Sequence, residues 1–416
     1  MNDHKKRNFS EAAGPELEQD AAVGKEASAE AGPSAALLAI FSFAIAALVA
    51  NLYYAQPLIS SIAPDIGVTP DMAGAVVSVT QIGYGMGLFL LVSLADLVEN
   101  RALVFITLAG TVAGLFTAAF ATTAPMFFAA SFLVGLCSSG AQILLPYIVH
   151  LAPAERRGRV VGNVMAGLLA GIMLARPVAL FAAGAFGWRM VFSGSGGLML
   201  VIGLILTRVM PRYMPQGGMH YGKILLTMLQ LLRDIPALRR RAAYQALLFC
   251  AFNIFWTTIP ILLGDRFGLG EYGIGLFALA GAGGALVAPI AGRLADGGYG
   301  RAATLWSFLL LGLSFLGLNW AAAAAALTAM VLLTVLLDAS VQTNQIVSQR
   351  IIFSVPSEIR GRANAIYMTL LFVGGAVGSV LGTIVYHHAG WSGVAWAGVA
   401  ISVLTLLLFV TEKTER

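Results

Sequence analysis

The chain has 416 residues, of which 58% are hydrophobic and 11% charged, with a formal net charge of +5. Soluble domains carry roughly 25% charged residues, so this composition cannot cover a water-exposed surface and points to an all-α, polytopic membrane protein embedded in a lipid bilayer. Its basic residues are not interleaved with aromatics on a polar face, which excludes a nucleic-acid partner, and Cys137 and Cys250 lie in apolar runs as small buried hydrophobes.

Residues 1–33 are polar, with Lys5, Lys6, Arg7 and many Glu, Ala and Gly, and form an expected disordered cytoplasmic tail rather than a cleavable signal. Six apolar runs of about 20 residues each follow. They are Ser34–Ser60, Met72–Ala95, Ala102–Ala121, Pro125–Leu151, Val160–Phe186 and Met190–Met210, giving an N-terminal bundle over 34–210. A cytoplasmic linker spans 211–240. Within it Ile224, Leu225, Met228, Leu229, Leu231 and Leu232 alternate with polar residues as in a helix lying on the membrane surface. Arg239, Arg240 and Arg241 then mark the headgroup level.

Six more runs make a C-terminal bundle over 241–411: Arg241–Gly264, Tyr272–Ala295, Ala302–Asn319, Ala321–Ile352, Ala363–His387 and Trp391–Val410, with a tail at 412–416. In hydrocarbon each backbone polar group needs an internal partner, so these twelve runs are predicted to be helices. With the N-terminus inside, only Arg189 and Arg266 fall in outer loops, Arg176 is intramembrane, and the rest of the 25 basic residues face the cytoplasm. An even number of spans returns the C-terminus to the same side.

The two halves repeat. Pro153, Glu155, Arg157, Gly158, Arg159, Met165, Gly171 and Gly187-Trp188 return as Pro356, Glu358, Arg360, Gly361, Arg362, Met368, Gly374 and Gly390-Trp391, each 203 positions later. Leu94-Ala95-Asp96 returns as Leu294-Ala295-Asp296. Duplicated six-span halves are the plan of a secondary transporter with a site where the halves meet. Arg176, in contrast, has Ser379 as its partner in the second copy. The fold therefore tolerates a small residue there, which singles out Arg176 for a task beyond packing.

These residues resemble the major facilitator superfamily over nearly everything from Ser34 to Val410. Gly292-Arg293-Leu294-Ala295-Asp296 with Gly300-Arg301 is similar to its signature loop after the second span of a half, and Ala95-Asp96 to Arg101 is a worn copy. Asn51-Leu52-Tyr53-Tyr54-Ala55-Gln56-Pro57, Gly171 to Arg176 and Gly187-Trp188-Arg189 look like the bacterial sugar-efflux and drug-resistance-like permeases. The resemblance implies a transporter of the bacterial inner membrane acting as a monomer, with spans 1, 4, 7 and 10 around a central cavity. It favours export. Leu97 and Glu99 depart from the signature loop, and Ser131 and Arg176-Pro177 depart from the usual exporter arrangement of spans 4 and 5.

Polar side chains deep in the runs are the candidates for binding a small solute: Tyr53, Tyr54, Gln56, Gln81, Tyr84, Gln142, Gln245, Asn253, Trp256, Gln342 and Gln345, with Asn344 nearby. Plain interhelical hydrogen bonding is the competing account. Asp338 is the sharpest, because an intramembrane carboxylate is costly; it lies about 18 Å in from Arg350 and is the candidate proton carrier. Arg176 lies about 25 Å along its helix from Arg159, hence nearer the outer face, as a fixed charge or a snorkelling cation. That depth difference argues against a direct Arg176–Asp338 pair.

Asp96 and Asp296, with Arg157, Arg159, Arg360 and Arg362 as cationic partners, are candidates for a cytoplasmic gate, or else solvated loop charges. No paired carboxylates, Ser-His-Asp set or His/Cys cluster stands in the sequence, so no enzyme activity, cofactor or metal is expected. The leading expectation is proton-coupled export of a sugar-like or drug-like solute. An uptake symporter or uniporter of the same fold stands second, and a non-transporting sensor or membrane enzyme third.

Overall fold

The computed structural model describes residues 34–212, 214–215, 219–285 and 287–412. The expected tail over 1–33, Gly217-Gly218 and residues 413–416 lie outside the described residues. Among the described residues all regular structure is helical, as internal satisfaction of the backbone demands. Among the described residues nine helices are long and apolar enough to cross a membrane.

The first apolar stretch is not continuous. Helix α1 (Ala35–Ala50), capped by the Ser34 hydroxyl accepting from Leu37 N at 3.2 Å, gives way to turns before α2 (Ile59–Asp65). Pro57 has no N–H to donate, and short i→i+3 bonds such as Tyr53 N to Ala50 O at 3.0 Å replace the α ladder. Regular spans follow: α3 (Ala75–Leu94), α4 (Asn100–Ala119), α5 (Ala124–Ser138) with α6 (Ala141–His150), α7 (Arg157–Phe186) and α8 (Trp188–Val209).

The short helix α9 (Tyr221–Asp234) buries Ile224, Met228 and Leu231 while Leu226 and Leu229 stay exposed. It leans on α3 through Tyr221 Oη, which donates to Leu90 O at 3.0 Å.

The second half opens with α10 (Pro236–Phe267). The stretch expected as one span over 272–295 is instead α11 (Glu271–Ala278), α12 (Ala280–Ala285) and α13 (Ala288–Asp296), and Gly281, Gly283 and Gly284 within the short middle piece weaken its helix propensity. Helices α14 (Gly300–Ala323) and α15 (Leu327–Phe353) are intact. The last two runs form one long α16 (Ser357–Val410) bent at Gly390 (φ 62°). Its repeat partner Gly187 ends α7 with φ 82°. Only glycine takes these positive angles without strain, which accounts for both Gly-Trp pairs.

The repeat survives in three dimensions. Arg157 Nε donates to Ala152 O at 3.1 Å, and Arg360 Nη2, 203 positions on, donates to Val355 O at 3.3 Å. The halves meet through α3 against α16 and α7 against α11. At the end carrying Asp71, Thr383 Oγ1 accepts from Gly74 N at 3.1 Å and donates to Asp71 O at 2.8 Å. Ser61 Oγ donates to Glu271 Oε1 there at 3.2 Å. At the opposite end the first turn of α7 is largely exposed, and α13 packs on α14 and α15 of its own half.

Candidate functional site

The broken first span and α10 bring a polar cluster together across the two halves. Arg176, on α7 just before Pro177, donates from Nε to Gln56 Oε1 at 3.1 Å. Gln56 Nε2 donates to Asn253 Oδ1 at 3.0 Å and to Thr257 Oγ1 at 3.3 Å. Gln81 Nε2 also donates to Asn253 Oδ1, at 2.6 Å. Thr257 Oγ1 donates to Ser379 Oγ at 3.2 Å. Gln56, Gln81 and Asn253 are fully buried, so each of these bonds replaces water that cannot reach.

The Arg176 guanidinium lies among three rings, 4.4 Å from the Trp256 centroid, 5.0 Å from Tyr53 and 5.3 Å from Phe252. Desolvated cation–π contacts are worth about 2 kcal/mol or more. On the other side Trp256 Nε1 donates to Asp338 Oδ1 at 2.9 Å. A Cβ at Gly284 would lie 2.5 Å from the Asp338 Cβ, and one at Gly281 would lie 2.9 Å from Trp256 Cζ2. Two glycines of α12 therefore make room for the acid and the indole.

Arg176 and Asp338 form no ion pair, yet both touch one indole, the guanidinium on its face and the carboxylate on its N–H. Counting along a helix from a loop arginine ignores side-chain direction. Side chains lean toward their helix N-terminus. Antiparallel α7 and α15 thus tilt Arg176 and Asp338 toward each other. Arg176 is 4% exposed, and snorkelling to the headgroups is not what it does.

The remaining cavity candidates divide. Gln142 Nε2 donates to Tyr84 Oη at 3.2 Å, and Tyr84 packs edge-on to Phe372 at 4.6 Å. Gln245 Oε1 accepts from Asn344 Nδ2 at 2.7 Å inside the second half. Tyr54 is buried within the first half beside Ser195. Gln342 and Gln345 are half-buried on α15 outside the cluster. Phe252, Thr257, Ser379, Gly281 and Gly284 belong to the cluster but escaped sequence reasoning. The signal for Ser379 was available, since it is the repeat partner of Arg176.

At the expected gate, Asp296 pairs with Arg350 of its own half, both exposed. Asp96 sits under the influence of Arg362 without forming an ion pair among the described residues. Arg157 and Arg360 turn to carbonyls of their own loops, and Arg159 is exposed. Asp96 and Asp296 thus form no ion pair with the four loop arginines among the described residues: Arg157 and Arg360 find carbonyl acceptors, Arg159 is exposed, and Arg362 stays near Asp96 with its Nε unpartnered.

The sequence model of the Major Facilitator Superfamily matches residues 36–348 and 243–416. A protein of Escherichia coli (strain K12) named "Putative uncharacterized transporter YgaY" is 38% identical over 377 residues, covering 90% of this chain and 95% of its own. "Probable transporter SCO4007" of Streptomyces coelicolor is 33% identical, covering 90% of this chain and 87% of its own. A "Chloramphenicol resistance protein" of Streptomyces lividans is 25% identical, covering 89% and 95%. The crystal structure of a D-xylose-proton symporter shares the fold, with a TM-score of 0.75 at 15% identity over 90% of this chain and 96% of that one.

Proposed function

The chain belongs to the Major Facilitator Superfamily, and from that premise we propose that it is a proton-coupled exporter of a small organic solute. As a member of that family it is a multi-pass membrane transporter and not an enzyme. The finer reading takes the broken stretches 35–65 and 271–296 as spans and the bent α16 as two. That gives twelve spans in two halves, 34–210 and 241–411, joined by 211–240, with both termini in the cytoplasm of a bacterial inner membrane.

The observation that carries this reading is the buried cluster joining Arg176, Gln56 and Gln81 of one half to Asn253, Trp256 and Asp338 of the other. A solute bound there is exposed to one side or the other as the halves rock. Asp338 is the proton site, because a dry carboxylate favours its neutral form unless paired. Arg176 keeps its charge and acts as the fixed donor. This reading takes the Asp71 end, joined across the halves, as the outer end and the Arg157 end as the cytoplasmic one. The Asp296–Arg350 pair and the loop arginines would engage when that end closes.

Export rests on the likeness to the sugar-efflux and drug-resistance-like permeases and on the relative named for chloramphenicol resistance. The test is a thermal-shift screen of purified protein with sugars, amphiphilic drugs including chloramphenicol, and metabolites, followed by flux in proteoliposomes. Efflux driven by an inward proton gradient is expected. A ligand that stabilises the protein but never crosses the membrane would make it a sensor.

A further inference from the structure

We propose that Trp256 is a positioning residue: held by Asp338, its indole presents the Arg176 guanidinium to an uncharged ligand that carries a hydrogen-bond-accepting oxygen on an apolar or aromatic body. This rests on the transport reading above and assigns the coupling element and the ligand class within it.

Arg176 Nη2 is buried and has no partner among the described residues, although Nε of the same group is engaged by Gln56. A buried donor left unpaired is costly, so the unpartnered Nη2 is a place for an acceptor. The walls beside it are rings: Tyr53, Phe252 and Trp256 lie within 5.3 Å of the guanidinium carbon. The charges of Arg176 and Asp338 already balance, and the other buried charged side chain among the described residues, Arg241, is tied to Thr304 at 2.8 Å. A charged ligand would leave the dry site with a net charge, which burial disfavours. An uncharged molecule with a carbonyl or hydroxyl oxygen fits both the open donor and the charge balance.

Trp256 touches both charges, through its N–H on Asp338 and its π face on Arg176. The ionisable groups facing this pair are Tyr53 from the first span and Arg176 from α7. Helix α12 contributes Gly281 and Gly284, and α10 contributes the indole itself. When Asp338 takes up a proton, the indole N–H loses its charged acceptor. The ring is then free to turn, and Arg176 loses its platform. Ligand and proton therefore exclude each other, as exchange transport requires. A hydrogen bond to a charged group is worth enough to shift affinity about tenfold or more.

The test uses purified full-length protein, with benzamide as the uncharged probe and benzoate as its anionic counterpart. Wild-type protein should bind benzamide with release of protons into weak buffer, and about tenfold less tightly at pH 5 than at pH 8. Trp256→Phe keeps a ring face but has no N–H; it should bind benzamide with no proton release and little dependence on pH. Asp338→Asn should behave as the protonated site at every pH. A pH step in intrinsic tryptophan fluorescence should be present in the wild type and in Arg176→Ser, and absent from Trp256→Phe and Asp338→Asn. Proton release that persists in Trp256→Phe overturns the positioning role. Benzoate binding more tightly than benzamide, or benzamide not binding at all, overturns the ligand class. If the fluorescence and binding results hold but proteoliposomes show no proton-driven flux, the coupling element stands and the transport reading falls.

Discussion

Gly171→Ala and Gly374→Ala form a matched pair that tests whether the repeat is a packing device. At Gly171 an added Cβ would sit 2.7 Å from Ala46 Cα and 2.8 Å from its carbonyl carbon, where α7 crosses α1. At Gly374 it would sit 2.8 Å from Ala246 Cα and 2.7 Å from its carbonyl carbon, where α16 crosses α10. Carbon atoms pack at about 3.5–4.0 Å, so each pair of helices must part by roughly 1 Å. Such overpacking costs about 1–3 kcal/mol. The better helix propensity of alanine returns at most about 1 kcal/mol. A net loss of about 1–2 kcal/mol is expected, hence a fall of a few degrees in Tm. Gly162, also on α7, has nothing within 4 Å of its Cβ position, so Gly162→Ala should hold or raise Tm. The assay is thermal unfolding of purified protein in detergent at matched expression. If Gly171→Ala and Gly162→Ala shift Tm in the same direction, close helix approach is not what these glycines provide.

Asp296→Ala should cut transport while membrane insertion and Tm stay near wild type, because an exposed ion pair contributes at most about 1 kcal/mol, and Arg350→Ala should reproduce it. Unchanged flux in both would remove the pair from the gate. At the other end, Asp65 accepts from Trp188 Nε1 at 3.0 Å and Arg189 Nη1 at 2.6 Å, and these donors hold its carboxyl below the usual carboxylate range. Its contribution to stability is therefore present above the ordinary aspartate pKa of about 4 and lost as pH falls through the lowered value. Asp65→Asn should lower Tm slightly at pH 7 and shrink the difference from wild type below pH 4, as a pH series of unfolding curves would reveal.

The membrane character, the duplication and the unusual standing of Arg176 were all legible in the residues. Composition settles the solvent, a constant offset exposes the repeat, and a charge present in one copy alone stands out against a serine in the other. The shared contact of Arg176 and Asp338 with the Trp256 indole was not legible, because distance along a helix carries no information on which way a side chain leans or what ring lies between. Breaks in the first and eighth expected spans were hidden for a related reason. Pro57 and the Gly281–Gly284 group sit in stretches apolar enough to cross unbroken, and hydropathy does not record a missing N–H. Phe252 and Thr257 carry no mark distinguishing them from other apolar and hydroxyl residues, whereas Ser379 could have been found by following the repeat from Arg176. The gate arginines share a simple motif in both loops, yet Arg157 and Arg360 turn to carbonyls of their own loops, which the motif does not record.

The central claim is that Asp338 carries the proton that drives solute movement. It is tested most directly by Asp338→Asn in proteoliposomes, with a solute that the thermal-shift screen identifies and an imposed pH gradient. Loss of gradient-driven flux with exchange of solute at equal pH retained is the predicted result. Gradient-driven flux at the wild-type rate would contradict it.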